Sequence, residues 1–435
     1  MKQKLLNINP SQAAVVVAMT CLSLIAYADD STYDPRAVAM GGTGVTTSNT
    51  RNAAFQNPAM LVSTPHDSVA FEFPIISLRL QDENNLHSDV STLKSNTNAL
   101  SSAITAFQAN PSQFTAATAA AAITNFNNSL AQASNKSLMG DIFAGAMLGI
   151  PGKNFAFSLF VDERVEAGAL FAYATADQGT LSNISSALNT CAANQASCTS
   201  AAATVNGLAP NGTVNNLQSQ LLVRGVRFKD VGITAAHHFD FLGGLDMGVT
   251  PKVSQLTTYD YAVNAQSTSL SLNQGEKGYS SYNMDVGVSK TFKAADMFKT
   301  SDKNEVKVGM VVKNMMSRSF TTILGNTISV KPQATVGASY LTDLTTTGID
   351  LDVITNQPIV SGFSKESQYL RFGAEFDAWR WAQLRVGYRH DLKGNYPNLP
   401  SVGLGLSPFG LHVDFSVAYA SQQEAVFSMQ TGLNF

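Results

Sequence analysis

From residue 366 to its end the chain alternates apolar and polar side chains with the two-residue period of a β-strand. Leu370, Phe372, Ala374 and Phe376 are interleaved with Arg371, Gly373, Glu375 and Asp377, and Leu384, Val386, Tyr388 and His390 with Arg385, Gly387, Arg389 and Asp391. Leu411, Val413, Phe415, Val417 and Tyr419 repeat the pattern, and Phe427, Met429, Thr431, Leu433 and Phe435 carry it to the last residue. Soluble chains tend to end in polar, frayed residues. Charges occupy only one face of these strands. In a sandwich that face meets water, whereas in a membrane barrel it lines the lumen and the apolar face meets lipid.

The same reading upstream gives strands at 67–80, 137–149, 154–175, 218–240, 245–262, 279–293, 304–319, 328–341, 347–355, 366–377, 382–391, 400–406, 411–420 and 424–435. This predicts an all-β transmembrane protein, an antiparallel outer-membrane β-barrel of about fourteen strands, the even number that closed bacterial barrels use. With the final strand ending in the periplasm, the short turns Pro151 to Asn154, Phe241 to Gly244 and Ser407 to Gly410 fall on the periplasmic side. Two interruptions, at about 83–135 and 177–216, then fall outside the cell. In the first, Leu86, Val90, Leu93, Leu100, Ile104 and Phe107 share one helical stripe; Asn110-Pro111-Ser112 marks a break, and Ala119, Ile123, Phe126 and Leu130 form a second stripe. The second insert places Leu181, Ile184, Leu188 and Cys191 at helical spacing before a Ser/Ala/Asn/Gly-rich stretch, so helix and polar loop both remain open. Trp379 and Trp381 fit an interfacial aromatic girdle, or ordinary packing.

Composition narrows the class. Of 435 residues 44% are hydrophobic and only 14% charged, against about 25% in soluble domains. No stretch after residue 30 reaches the ~20 apolar residues of a spanning helix. Lys2 and Lys4, the apolar run Ala13 to Ala26 and the small residues of Ala26-Tyr27-Ala28 predict a signal peptide over 1–28, with a membrane anchor as the alternative. The residues before Cys21 make a poor lipidation signal. Removing 1–28 takes two of the 28 basic residues and leaves 31 acidic ones, a net charge of −5, which points away from a nucleic-acid partner. Cys191 and Cys198 then remain as a candidate disulfide, provided the helix breaks between Ala192 and Ser197, because seven residues of continuous helix separate them by about 10 Å along the axis. Metal binding by this pair is the weaker alternative. The histidines form no HExxH spacing, no G-x-S-x-G elbow occurs, and His237 and His238 point to opposite faces of one strand, so neither enzyme, metal nor cofactor is expected.

Ahead of the first strand lies a glycine-rich stretch with Gly41, Gly42 and Gly44, followed by Asn57-Pro58-Ala59. No GK[ST] follows to make a phosphate loop. The segment 29–65 is too small to fold alone and apolar enough to be buried by something else. Here the chain resembles the FadL-type long-chain fatty-acid transporter superfamily, in its conjugal-transfer TraF-like outer-membrane branch. The matching features are the glycine stretch, the Asn-Pro-Ala motif and the terminal Phe435. The resemblance implies a Gram-negative outer-membrane location, a fourteen-stranded barrel over 66–435 with 29–65 as an internal plug, and diffusion of hydrophobic molecules from an external groove through the barrel wall. Outer-membrane lipid, the barrel-assembly machinery and a hydrophobic ligand are the partners it implies.

Two functions follow as expectations: passive uptake of hydrophobic or amphipathic small molecules, or a structural role in an envelope or conjugative-transfer apparatus with no transport. For the first, Leu86, Leu93, Leu100 and Phe107 are candidate groove residues, with packing between the two helices as the competing role. Asn57 and Pro58 suit either gating or a plain turn. The mixed signs of Arg371, Glu375, Asp377, Arg385, Arg389 and Asp391 favour bracing of the lumen over ion selection.

Overall fold

The computed structural model describes residues 33–64, 68–82, 84–240, 243–264, 275–378, 381–421 and 423–435. The expected signal peptide, Cys21, His66 and Trp379 lie outside the described residues. Strands β1 (Ala70–Gln81), β2 (Ser137–Ile150), β3 (Phe155–Ala172), β4 (Gln220–Phe239), β5 (Leu245–Asn264), β6 (Glu276–Lys293), β7 (Glu305–Lys313), β8 (Arg318–Thr321), β9 (Thr327–Val330), β10 (Gln333–Leu341), β11 (Thr345–Asp352), β12 (Tyr369–Ala378), β13 (Ala382–Asp391), β14 (Leu399–Leu406), β15 (Leu411–Ala420) and β16 (Glu424–Asn434) follow in order. Fourteen of them close an antiparallel barrel, with β1 sealed against β16 from Ala70↔Asn434 to Gln81↔Glu424. Closure gives each of these fourteen strands a hydrogen-bonded neighbour on both sides, as a membrane-spanning sheet requires. Outside, Phe71, Leu78, Phe157, Leu159, Val386, Val402, Phe415 and Phe427 are exposed, while inside Arg371, Arg385, Arg389, Asp414 and Glu424 are buried.

The segments read as 304–319 and 328–341 differ from the structure. β7 stops at Lys313 because Asn314 takes a left-handed φ of 51°. The residues beyond it form a separate hairpin, β8 with β9. Its Phe320, Ile328 and Val330 keep a strand's alternation, yet they pack on the inward-facing Val226, Phe228 and Leu256, so the hairpin folds over the barrel mouth.

Four helices stand at the same end of the barrel as this hairpin: α3 (Leu86–Ala109), α4 (Gln113–Ala133), α5 (Thr175–Ala193) and α6 (Cys198–Leu208), preceded in the chain by the short α1 (Pro35–Ala39) and α2 (Met60–Ser63). A Ser112/Thr115 capping box starts α4 after Pro111. The second insert is thus helical at its core, and Cys191 and Cys198 are joined as a disulfide across the break between α5 and α6. Leu86, Leu93, Leu100 and Phe107 are at most 3% exposed and pack with Ile123, Phe126, Ile184 and Leu188. They form the interior of the helix bundle. As placed here they are closed to a ligand, and the groove expected along them is a packing seam.

Candidate functional site: lumen, inner segment and wall groove

Residues 33–64 lie inside the barrel. Asp34 organises their N-terminal part: its carboxylate caps α1 through the Ala37 amide (2.9 Å) and accepts from Asn52 Nδ2 (2.7 Å) and Gln56 Nε2 (2.5 Å). Gly41 and Gly42 have φ of 70° and 89°, which glycine adopts without strain. The turn they make delivers the amides of Gly44 and Val45 to Asp350 of β11, at 2.7 and 3.0 Å. Asn57 donates to the Val45 carbonyl (2.7 Å) and accepts from the Ala59 amide (3.1 Å), so within this structure the Asn-Pro-Ala motif closes a turn of the segment itself. Lys307 of β7 takes the Ser63 carbonyl at 2.9 Å, Ser401 of β14 bridges the Gly41 amide and the Ala39 carbonyl, and Arg36 pairs with Glu375 of β12 at 2.8 Å.

A belt of wall glycines makes room for this segment. A Cβ on Gly248 would come within 2.6 Å of the Ala59 amide nitrogen, one on Gly373 within 2.5 Å of the Met40 carbonyl oxygen, and one on Gly337 within 2.7 Å of Val45 Cβ. On Gly387 it would overlap the Gly41 amide and the Met40 carbonyl carbon, and on Gly403 the Ala39 side chain. Several are direct cross-strand partners: Gly248 with Gly287, Gly309 with Gly337, Gly348 with Gly373, and Gly373 with Gly387. Glycine weakens a strand unless another backbone must approach closely. Here the approaching backbone is the inner segment's.

The six charges singled out from the sequence separate into two groups. Arg371 makes a two-pronged pair with Asp352 (2.7 and 3.0 Å), Arg385 joins Glu375 (2.5 Å) to Asp414 (2.6 Å), and Arg389 reaches Glu424 (2.5 Å), which also holds Arg79 of β1 (2.8 Å). Opposite signs therefore meet inside the lumen, between neighbouring strands for Arg371–Asp352, Arg385–Glu375 and Arg79–Glu424 and across one or two intervening strands for Arg385–Asp414 and Arg389–Glu424, and the Glu375 carboxylate carries the bond on to Arg36. Asp377 and Asp391 serve turns instead. Asp377 accepts from Gln383 at 3.0 Å, and Asp391 accepts the amides of Gln368, Lys393, Asn395 and Tyr396. His237 stacks on Phe155 outside the barrel while His238 bonds Asp246 inside, the opposite orientations their adjacency requires. The terminal Phe427, Met429, Thr431 and Leu433 lie in β16, and the Phe435 amide and carbonyl pair with Val69.

Among the described residues, the lumenal void beside Phe55, Asp162 and Arg164 holds about 60 Å³. A cavity of about 1030 Å³ crosses β1 to β6 and is lined largely by outward apolar residues such as Phe73, Ile76, Ala146, Val161, Val231, Val253 and Tyr282. Three local features shape it. The register of β1 shifts between Glu72 and Ile75, around Pro74; β2 passes through Ala144-Gly145-Ala146; and Pro251 of β5 has no amide to give β4. At its far end β6 leaves β7. Their pairing runs only from Val286↔Val312, and the strand before that point is tied to the connection after β7 by Met315 N–H to the Met284 carbonyl (2.8 Å) and by Asn283, which exchanges bonds with Met316 at 2.9 and 3.0 Å. Asp285 also accepts the Asn314 amide (2.7 Å), Arg318 donates to the Tyr282 carbonyl (3.3 Å) and the Tyr279 hydroxyl donates to the Thr321 carbonyl, so the seam is held mainly by side-chain bonds where a continuous backbone ladder would otherwise run.

The sequence reading missed the glycine belt, Asp350 and this wall groove. Gly373 and Gly387 did fall on the charged, inward face, which was the available signal for the belt.

Residues 54–352 match the model of the family described as F plasmid transfer operon, TraF, protein. No curated protein matches the chain. Among solved structures, the TodX deltaS2S3 mutant monoaromatic hydrocarbon channel superposes with a TM-score of 0.50 at 10% identity, over 93% of this chain and 99% of that one. The P. putida toluene transporter TodX gives 0.43 at 10% identity, over 94% and 99%, and a Pseudomonas aeruginosa FadL homologue 0.40 at 9%, over 94% and 100%. At such identities the likeness is one of fold.

Proposed function

We propose, for a chain that belongs to the F plasmid transfer operon TraF family and has a FadL-type barrel, a passive outer-membrane path for hydrophobic or amphipathic small molecules. The observation that carries this reading is the apolar wall groove ending on the β6 seam, beside a lumen that residues 33–64 fill. These residues act as a plug. An axial water channel is blocked, so a greasy solute that has passed the helical cap leaves sideways into lipid, where the wall offers apolar surface and a short, breakable set of hydrogen bonds.

The test is uptake of a labelled monoaromatic or alkane probe by cells producing the full chain. Paired Asn283→Cys and Met316→Cys substitutions should stop uptake when oxidised and restore it on reduction. Uptake that proceeds equally with the seam locked would refute the lateral route. The family's printed name supports a second reading, a structural part of a transfer apparatus. A deletion that lowers plasmid transfer while leaving probe uptake untouched, together with retrieval of transfer-apparatus proteins on the tagged barrel, would favour it.

A further inference from the structure

The cross-strand register orders the outer face of β3 to β6 into rows. Val161, Val231, Val253 and Tyr282 are successive partners, and so are Glu163, Lys229, Gln255 and Ser280 one step nearer the helical end. The first row is apolar and lines the groove; the second is polar and charged. Arg227 follows on the same outward face of β4. Two cations thus sit where the strand period reserves positions for lipid contact. Their carboxylate neighbour is Glu163, which lies 3.8 Å from Arg227 and 3.7 Å from Lys229, too far for a hydrogen bond to either. All three side chains are more than a third exposed. At the seam end Arg318 lies with its guanidinium 4.3 Å from the centre of the Tyr282 ring. Farther out on this face, Glu276 lies four residues beyond Ser280 along β6.

We infer that this rim and groove hold a lipid of the outer leaflet by a phosphate-bearing headgroup, the phosphate on Lys229 and Arg227 and an acyl chain along the apolar groove. Charge and shape both select that occupant. Three cations against one carboxylate border the apolar row, and a groove crossing six strands at ~4.8 Å spacing is ~24 Å long, which at a strand tilt of ~40° spans ~15 Å of depth, about what one leaflet contributes to the hydrocarbon core. Arginine and lysine side chains suit the boundary because their stems lie on apolar surface while their heads reach phosphate. The inference goes beyond the transport reading and does not depend on it, since a barrel that moves nothing would bind the same lipid.

The experiment uses the full barrel in detergent, titrated with a phosphorylated glycolipid, with its dephosphorylated form and with inorganic phosphate, and read by native mass spectrometry. The phosphorylated lipid should bind at least tenfold more tightly than the dephosphorylated one. Replacing Arg227, Lys229 and Arg318 by Gln should erase that preference, at about fivefold per cation near an anionic surface. Val231→Trp, which fills the groove, should weaken both lipids while keeping the preference. Heat-modifiable migration on gels reports that each variant is still a folded barrel. Equal binding of the two lipids by the unmodified chain, or a preference that survives the triple substitution, overturns the proposal, as does displacement of the lipid by equimolar inorganic phosphate. Transport is tested separately by the locked seam, so either idea can fail alone.

Discussion

Gly387→Ala is the sharpest probe of how residues 33–64, the proposed plug, are seated. The new methyl group would fall on the Gly41 amide and the Met40 carbonyl carbon, both backbone, and no rotamer can relieve the overlap. Forcing one methyl into a packed site costs about 1–3 kcal/mol. The displaced turn also weakens the Gly41 N–H bond to Ser401 (3.1 Å) and the Ser401 hydroxyl bond to the Ala39 carbonyl (2.9 Å), together worth about 1–2 kcal/mol. A net loss of about 2 kcal/mol in seating free energy raises the ratio of released to seated plug about thirtyfold. In planar bilayers this should appear as opening events about thirty times more frequent than in the unmodified barrel. Gly278→Ala in β6 is the matched control, because nothing lies within 4 Å of its added methyl. If the two variants open equally often while both migrate as folded barrels, the glycine belt has no part in seating the plug.

Other outcomes follow from the same packing and ion pairs. Arg385→Ala strands Asp414 and half of Glu375, and should lower the barrel's stability by about 3–5 kcal/mol, seen as a lower heat-modification temperature; altered conductance with unchanged heat stability would defeat the bracing role. Phe107→Ala, at 0% exposure inside the helix bundle, should loosen the cap by about 3–5 kcal/mol in hydrogen exchange without changing the concentration dependence of probe uptake; a changed concentration dependence would return Phe107 to the ligand path. Val249→Lys on the outer face of β5 should destabilise the barrel in lipid by about 2–4 kcal/mol, whereas Thr257→Lys, beyond Gln255 toward the helical end, should cost at most about 1 kcal/mol. Equal costs in refolding titrations would place the lipid boundary elsewhere.

The strands were legible because lipid and lumen impose opposite demands on alternate residues, and that period survives without knowledge of partners. The same period misled at Arg318 to Val330. Phe320, Ile328 and Val330 alternate as strand residues do, and only the mouth-facing Val226, Phe228 and Leu256, at least 64 residues earlier in the chain, show what they cover. Helix periodicity placed Leu86, Leu93, Leu100 and Phe107 on one stripe. It could not say whether that stripe faced a ligand or another helix, because periodicity gives the apolar face without what covers it, here α4 of the same insert and α6 from a different connection. Arg227 and Lys229 did leave a trace in the sequence: they share odd-numbered positions with Val231 and Ile233, on the face that should be greasy throughout.

That exception has a geometric origin in the barrel's unequal height. β12 and β13 have 10 residues each, and a strand of that length, rising ~3.4 Å per residue at a tilt of ~40°, climbs ~26 Å, about the thickness of an outer-membrane apolar band. β4 and β5 have 20 residues each and climb about twice as far. Half of each long strand must therefore stand beyond the hydrocarbon, where alternation is no longer enforced and charge costs little. The change from Val231 to Lys229 marks that exit on the strand itself. Groove, seam and cationic rim all lie on the β1 to β6 side, which includes the tallest strands; glycines of β10 to β14 make room for residues 39–47 of the inner segment and Gly248 and Gly287 of β5 and β6 for Asn57 to Ala59, so on the proposed reading one wall carries both the segment's seat and the lateral path.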